Sequence, residues 1–126
     1  ILYCEGNIKL LEEKTIAIIG SRCCSDYGVE MAKEFSKQLT QEGFCIVSGM
    51  AKGIDSVAHS ACLEEKGNTI AVLGCGFNKI FPKENIPLYK KIIYNNGLVI
   101  SEYEPDSVPR SSRTVLGNRN DVGVLP

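Results

Sequence analysis

The chain has 126 residues, a length that suits one domain, and 44% of them are hydrophobic, which is enough for a buried core. Its formal net charge is −1, so any contact with nucleic acid has to come from a local cluster of cations. No apolar run approaches the roughly 20 residues that a membrane-spanning helix needs. These properties argue against a disordered chain, a membrane span and an overall basic surface.

Six cysteines raise the question of disulfide bonds. Cys45, Cys62 and Cys75 lie within apolar strand or helix patterns, which is typical of small buried side chains, while Cys23 and Cys24 are adjacent. The sequence shows no secretory leader, no Cys-x-x-Cys motif and no metal-ligand spacing. We therefore expect reduced thiols, a cytoplasmic protein and no bound metal.

The first part of the chain predicts a leader, a strand and a helix. Residues 1–14 contain a short apolar patch and a Gly-Asn turn, and we expect them to dock on a core domain of residues 15–126. Residues 15–19 predict the first core strand. Ser25 or Asp26 can cap the amphipathic helix that follows this strand.

The same alternation then repeats. Residues 44–47 form a continuous apolar run, which is typical of a strand covered on both faces in a parallel sheet. Residues 68–73 and 98–100 predict two further strands. A helix is expected after residue 53, and another from Leu88 onward, because the prolines before Leu88 oppose an earlier start.

Strands that alternate with helices predict right-handed βαβ crossovers. The expected fold is therefore α/β, with a Rossmann-like parallel sheet and helices on both faces. A complete sheet of two such halves usually needs more residues than this chain has. We expect an incomplete sheet whose C-terminal part is truncated.

Small residues and cations follow the predicted strands. In a parallel sheet the carboxyl ends of the strands share one edge, and ligands of open α/β sheets bind there. Glycines allow a ligand to approach the backbone, and free N–H groups at a helix start favour an anion. Arg22 and Lys52 would add positive charge, so the pattern predicts a phosphate pocket, although tight packing turns alone would also need glycines. The candidate residues are Gly20, Ser21, Arg22, Ser48, Gly49, Lys52, Gly53, Gly74 and Gly76.

Common catalytic and nucleotide-binding fingerprints are missing. The loop after the first strand matches neither GxGxxG nor GxxxxGK[ST], and Ser48 does not lie in a GxSxG motif. His59 is the one histidine of the chain, and we interpret it as a hydrogen-bonded structural residue rather than a base. Asp55 is interpreted as a first-turn residue favoured by the helix dipole. We expect no catalytic residues and no cofactor.

Four blocks of the sequence resemble one known family. They are IAIIGSR at 16–22, VSGMAKGID at 47–55 with Ala58-His59, TIAVLGCG at 69–76 followed by Phe81-Pro82 and Asn85, and GLVISE at 97–102. Their order, spacing and identity are similar to those of the DNA-processing protein A family (DprA/Smf). Four matching blocks are far more specific than any single glycine motif.

The resemblance implies a non-enzymatic protein with an extended Rossmann fold that binds single-stranded DNA. Such a protein protects DNA that enters the cell in natural transformation and loads the RecA recombinase onto it, usually as a homodimer. Phe81 would offer a face on which a base can stack. At the matching positions of this chain, the implied DNA contacts are Arg22, Ser48, Gly49, Lys52, Lys79 and Phe81.

One block departs from the family pattern. The family continues with Phe-Pro-x-Arg-Asn-Arg, whereas this chain reads Asn118-Arg119-Asn120-Asp121, so the Arg-Asn pair is shifted by one residue. Asn118 and Arg119 remain candidate DNA contacts. Asp121 replaces the second arginine, which removes one cation from the expected distal phosphate contact.

Two other hypotheses remain open. The lysine-decarboxylase-like nucleoside monophosphate phosphoribohydrolases share this sheet type and also bind phosphates at its edge, but their PGGxGT block is absent from this chain. That hypothesis rests on analogy between folds. The third possibility is a scaffold whose pocket has no ligand.

Overall fold

The computed structural model describes residues 2–21, 23–80 and 83–108. Within these ranges, five strands form one sheet and three α-helices connect the strands of its core. The strands are β1 (Tyr3–Gly6), β2 (Thr15–Ala17), β3 (Cys45–Ser48), β4 (Thr69–Val72) and β5 (Leu98–Ser101). The helices are α1 (Asp26–Gln41), α2 (Ile54–Glu64) and α3 (Ile86–Tyr94), with short 3-10 helices at Ile8–Glu12, Phe77–Lys79 and Lys83–Asn85.

The strand order in the sheet is β1-β5-β4-β3-β2. Strands β2 to β5 run parallel, whereas β1 runs antiparallel to β5, with Tyr3 opposite Ser101 and Gly6 opposite Leu98. The predicted α/β class with a Rossmann-like sheet is confirmed, but the sheet is mixed rather than wholly parallel. The expected leader supplies this antiparallel edge strand, because residues 3–6 form all of β1.

The three α-helices lie on one face of the sheet. Ile46 on this face packs against Ala58 and Cys62 of α2, and Val99 on the same face packs against Ile92 of α3. Each of the strands β3, β4 and β5 lies next to the strand that precedes it in the chain, always on the same side of it. Right-handed crossovers therefore place all the connecting helices on one face of the sheet. The prediction of helices on both faces is therefore wrong for the described residues: the three α-helices cover one face, and the 3-10 helix Ile8–Glu12 packs on the other.

The opposite face of the sheet is also buried. Val47 and Ile70 pack there, together with Leu10 from the 3-10 helix Ile8–Glu12. Leu10 is only 3% exposed, so this short segment closes part of the core. Strands β3, β4 and β5 are therefore buried on both faces, as their continuous apolar runs predict, whereas β2 at the edge of the sheet is half-buried.

The helix ends follow local chemistry. The side chain of Ser25 accepts a hydrogen bond of 3.0 Å from the Gly28 N–H group, which confirms the predicted cap of α1. Helix α3 begins at Ile86, two residues before the predicted start at Leu88. The reason is that Pro87 lies in the first turn, where a helix tolerates proline because no intrahelical N–H donor is needed.

All six cysteines are free thiols. Cys45, Cys62 and Cys75 are buried, as their positions in apolar runs predict. Burial raises the pKa of Cys45 to about 12, so this thiol stays protonated at neutral pH. In the part of the chain that the structure describes, no helix is long and apolar enough to cross a membrane.

Candidate functional site

The carboxyl ends of the four parallel strands meet at one edge of the sheet, which we call the strand-end edge. It carries the loop residues 18–21 and 23–25, 49–53, 73–76 and 102–107. The loop after β2 contacts the start of α2, which directly follows the loop after β3: the backbone N–H of Ile54 donates to the carbonyl of Ser21 at 3.3 Å. The glycine-rich segments that the sequence singled out are thus neighbours in space.

A buried carboxylate links these two loops. Oδ1 of Asp55 accepts a hydrogen bond from the Gly20 N–H at 3.3 Å, and Oδ2 accepts one from the Gly49 N–H at 3.1 Å. Asp55 is 5% exposed. Burial raises the pKa of its carboxyl group, and the N–H groups of Gly20, Ala51 and Gly49 oppose this shift. The anion at the N–H groups of Gly20 and Gly49 is therefore the protein's own side chain, and a ligand phosphate needs other contacts.

The loop between β3 and α2 is held in one conformation. Met50 is fully buried and has a φ of 60°, a left-handed conformation that costs energy for a residue other than glycine. Nδ2 of Asn85 donates to the carbonyl oxygen of Met50 at 2.6 Å and to Oγ of Ser56 at 2.8 Å. Oγ of Ser56 donates in turn to the Ala51 carbonyl at 2.6 Å. These bonds fix the loop before any ligand binds.

Lys52 lies exposed at the tip of this loop. Its Nζ is 3.2 Å from Oε2 of Glu84, which belongs to the 3-10 helix Lys83–Asn85. Both side chains are more than half exposed, so the ion pair is weak and a ligand can compete for the ammonium group. Lys79, another candidate, is exposed at the end of the 3-10 helix Phe77–Lys79.

The two candidate serines differ in accessibility. Ser48 is fully buried, and its hydroxyl group donates to the carbonyl oxygen of Ile18. Ser21 is exposed, and its Oγ donates to the Cys23 carbonyl at 2.8 Å and accepts from the Cys23 N–H at 3.1 Å. Ser21 is therefore accessible from solvent, whereas the buried Ser48 joins the ends of two strands.

The glycines of this edge differ in backbone conformation and in packing. Gly53 has a φ of +81° and precedes α2, while Gly74 is half-buried just after β4. Gly76 donates its N–H to the carbonyl of Ser107 at 3.0 Å, and a Cβ placed on it would overlap the backbone of Glu104 and Pro105. Close packing of the 104–107 segment thus requires a glycine at position 76.

Four candidate residues, Arg22, Phe81, Asn118 and Arg119, lie outside the described residues. Of the described candidates, Gly20, Ser21, Lys52 and Lys79 are exposed. Within the same described ranges, no group of three or more His, Cys, Asp or Glu residues is placed to hold a metal ion.

His59 is part of the core. Its Nδ1 is 2.7 Å from Oγ1 of Thr69, whose hydroxyl group donates to the Ile46 carbonyl at 2.7 Å, so Nδ1 carries the proton and donates. The histidine is fully buried, and burial lowers its pKa to about 3. Its burial and its hydrogen bond to Thr69 agree with the interpretation of His59 as a structural residue.

Sequence reasoning missed three contributors to this edge. Asp55 was assigned to the helix dipole alone, Asn85 had no role, and Glu84 was not considered. Each of them contacts a residue that is distant in the sequence. Gly20 is 35 residues from Asp55, Met50 is 35 residues from Asn85, and Lys52 is 32 residues from Glu84. No local pattern reports such contacts, although Asn85 and Asp55 both lie in the segments that carry the family resemblance.

Known proteins match almost the whole chain. The family model described as DNA recombination-mediator protein A matches residues 1–124. DNA processing protein DprA of Streptococcus pneumoniae is 40% identical over 124 residues, which cover 98% of this chain and 43% of that protein. Protein Smf of Escherichia coli is 37% identical over 130 residues, which cover 98% of this chain and 35% of that protein.

Two solved structures share the fold. The X-ray structure of DprA from Streptococcus pneumoniae matches with a TM-score of 0.86 and 38% identity, covering 98% of this chain and 43% of that one. DNA processing protein A from Helicobacter pylori, whose structure concerns its single-stranded DNA binding mode, matches with a TM-score of 0.85 and 34% identity, covering 98% and 56%. This chain therefore spans less than half the length of the two curated relatives and just over half of the second structure. On these matches, and as its four sequence blocks predict, the chain belongs to the DNA recombination-mediator protein A family, that of DprA and Smf.

Proposed function

We propose that the chain binds single-stranded DNA at the strand-end edge, without catalysing a reaction on it. The observation that carries this proposal is the β3–α2 loop, which Asn85 and Asp55 hold rigid and which presents the exposed ammonium group of Lys52. A rigid cationic loop binds a phosphate without a large loss of conformational entropy. The relative from Helicobacter pylori, which shares this fold, is described by its binding of single-stranded DNA.

The chemistry of the edge favours contacts to the DNA backbone. Lys52 and Lys79 supply exposed cations, and Ser21 supplies a hydroxyl group. We propose Arg22 as a further phosphate ligand from the sequence pattern, and Phe81 as a stacking surface for a base from the family resemblance. Phosphate contacts carry no base information, so binding should depend little on sequence. The N–H groups of Gly20 and Gly49 act indirectly, since they bind Asp55 and so position the loops.

Further properties belong to the whole natural protein. We propose, on family membership, that it works in the cytoplasm, forms a homodimer, protects incoming DNA and loads RecA onto it. Asn118 and Arg119 are proposed as additional DNA contacts on the sequence alone. Residues 15–126 are the proposed DNA-binding domain, and β1 of the leader adds the edge strand next to its β5.

Fluorescence anisotropy with labelled oligonucleotides tests the proposed function. We expect tighter binding to a single strand than to a duplex of the same sequence, and similar affinity for single strands of different composition. Equal or tighter duplex binding would count against the proposal.

Incubation with AMP distinguishes DNA binding from the enzymatic alternative. A phosphoribohydrolase would release free adenine, whereas we expect AMP to remain intact.

The Lys52–Glu84 ion pair leads to a specific expectation. Glu84→Gln removes the carboxylate that competes with phosphate for Lys52, so single-stranded DNA should bind about 3-fold more tightly at low salt. Glu64→Gln is a matched control, because Glu64 is exposed on α2 and forms no ion pair among the described residues. Titration by anisotropy measures both variants. If they bind with the same affinity, Glu84 has no specific effect on Lys52.

A further inference from the structure

A groove of about 610 Å³ lies on the outer surface between α2 and α3. Pro87, Lys90, Lys91 and Tyr94 line it with the spacing of one helical face, while Ile92 on the other side of α3 is fully buried in the core. The complete lining is Ser60, Glu84, Pro87, Leu88, Lys90, Lys91 and Tyr94. The outward face of α3 thus presents two cations and an aromatic ring to a concave surface.

The charge of this groove differs from that of the chain. The formal net charge of the chain is −1, whereas α3 contains two lysines and no acidic residue. Lys90 and Lys91 are exposed and form no ion pair with any described residue. The acidic side chain in the lining is Glu84, which is paired with Lys52. A polyanion is therefore the class of ligand that suits this surface.

Tyr94 distinguishes between polyanions. It is 88% exposed, the largest exposed fraction among the large hydrophobic side chains of the described residues. An exposed aromatic ring beside two lysines is the combination by which proteins bind single strands, since bases stack on the ring and phosphates meet the cations. In a duplex the bases are stacked on each other and offer no free face to Tyr94. An acidic peptide need not contain an aromatic side chain that could stack on it.

The groove is continuous with the strand-end edge. Glu84 lines the groove and contacts Lys52, and the next residue, Asn85, holds the β3–α2 loop. Helix α3 starts there and rises by about 12 Å from Ile86 to Tyr94. A strand that leaves Lys52 can therefore pass Glu84 and follow the outward face of α3.

We propose that this groove is a second subsite for single-stranded nucleic acid, in which Lys90 and Lys91 contact phosphates and Tyr94 stacks on a base. The proposal rests on the proposed function, because the groove extends the path of a strand bound at the strand-end edge. A strand too short to leave that edge does not reach it. The lysines also lie near the C-terminal end of α3, where cations stabilise a helix through its dipole. Their replacement can therefore lower stability by itself, and the test measures DNA binding instead.

The test uses the natural protein and oligothymidylates of about 6 and about 20 nucleotides. Lys90→Gln/Lys91→Gln should weaken binding of the long strand and lower its salt slope by about 1.4, which is twice the value of about 0.7 per phosphate contact. Tyr94→Ala should weaken the long strand by about 10-fold, and Tyr94→Phe should restore it. Binding of the short strand should stay unchanged in all three variants.

Matched controls come from other surfaces of the same chain. Lys9→Gln/Lys33→Gln removes two exposed lysines, one from the 3-10 helix Ile8–Glu12 and one from α1, that form no ion pair with another described residue. Tyr27→Ala removes a tyrosine that is 73% exposed on α1. Neither control should alter binding of the long strand beyond the small general effect of net charge.

The outcomes separate the two proposals. If the wild-type protein binds no single strand, the proposed function fails and the subsite fails with it. If Lys52→Ala weakens binding while the groove variants behave like their controls, the subsite alone is refuted. Equal losses for the short and long strands would also refute it. A poly-glutamate probe completes the set, because a loss of poly-glutamate binding without loss of DNA binding would assign the groove to acidic peptides.

Discussion

Replacement of Asp55 by alanine should lower the free energy of unfolding by about 2–4 kcal/mol. The substitution leaves the buried N–H group of Gly49 and the partly buried N–H group of Gly20 without their acceptor, and an unsatisfied buried donor costs about 1–3 kcal/mol. Asp55→Asn should cost about half as much. The asparagine side chain has one oxygen, which can still accept from one N–H group, while its NH₂ group faces the second N–H group and cannot accept from it. Denaturant unfolding at neutral pH measures these differences.

The control for this substitution is Asp26→Ala. Asp26 is also an acidic residue in the first turn of a helix, but it is exposed. Its loss removes an interaction with the helix dipole of about 0.3–1 kcal/mol and no buried hydrogen bond. Equal costs for Asp26→Ala and Asp55→Ala would mean that the dipole explains Asp55 and that its contacts to two loops contribute little.

Gly76→Ala should destabilise the protein by about 2–4 kcal/mol. The added methyl group would overlap the backbone of Glu104 and Pro105, and a backbone segment cannot avoid it by a change of rotamer. Relief requires the 104–107 segment to move, which breaks the Gly76–Ser107 hydrogen bond of 3.0 Å and the Asn78–Pro105 bond of 2.8 Å. Thermal unfolding detects such a change as a lower Tm.

Gly28→Ala is the matched control for Gly76→Ala. In α1 the added Cβ of Gly28 would lie 3.5 Å or more from its neighbours, which is ordinary contact. Alanine should therefore stabilise the helix by about 0.5–1 kcal/mol. A Gly76→Ala variant with wild-type stability and altered DNA binding would contradict the packing explanation and support a direct contact of Gly76 with DNA.

The order of strands and helices was predictable because each element has a strong local signal. Residues 44–47 are a continuous apolar run between two glycine-rich turns, and Ser25 stands where a cap is expected. The shared edge of the parallel strands follows from the βαβ pattern and the handedness of its connections. Together these signals located the loops of the candidate site.

Other features depend on contacts between distant residues. The direction of β1 is set by its pairing with β5, more than 90 residues away, and a four-residue strand has no local mark of that direction. The side on which α1, α2 and α3 pack follows from the strand order, which local periodicity does not contain. The roles of Asp55 and Glu84 likewise depend on partners from other loops.

The salt dependence of single-stranded DNA binding tests the proposed site most directly, with Lys52→Ala and Arg22→Ala compared with the wild-type natural protein. We expect each variant to lower the salt slope by roughly 0.7 and to weaken binding about equally for every sequence. Arg22→Ala should have the larger effect on affinity, since a guanidinium group holds phosphate through two hydrogen bonds. The exposed position of Lys52 predicts an unchanged Tm for its variant. Wild-type affinity and wild-type salt slopes in both variants would contradict binding of DNA at the strand-end edge.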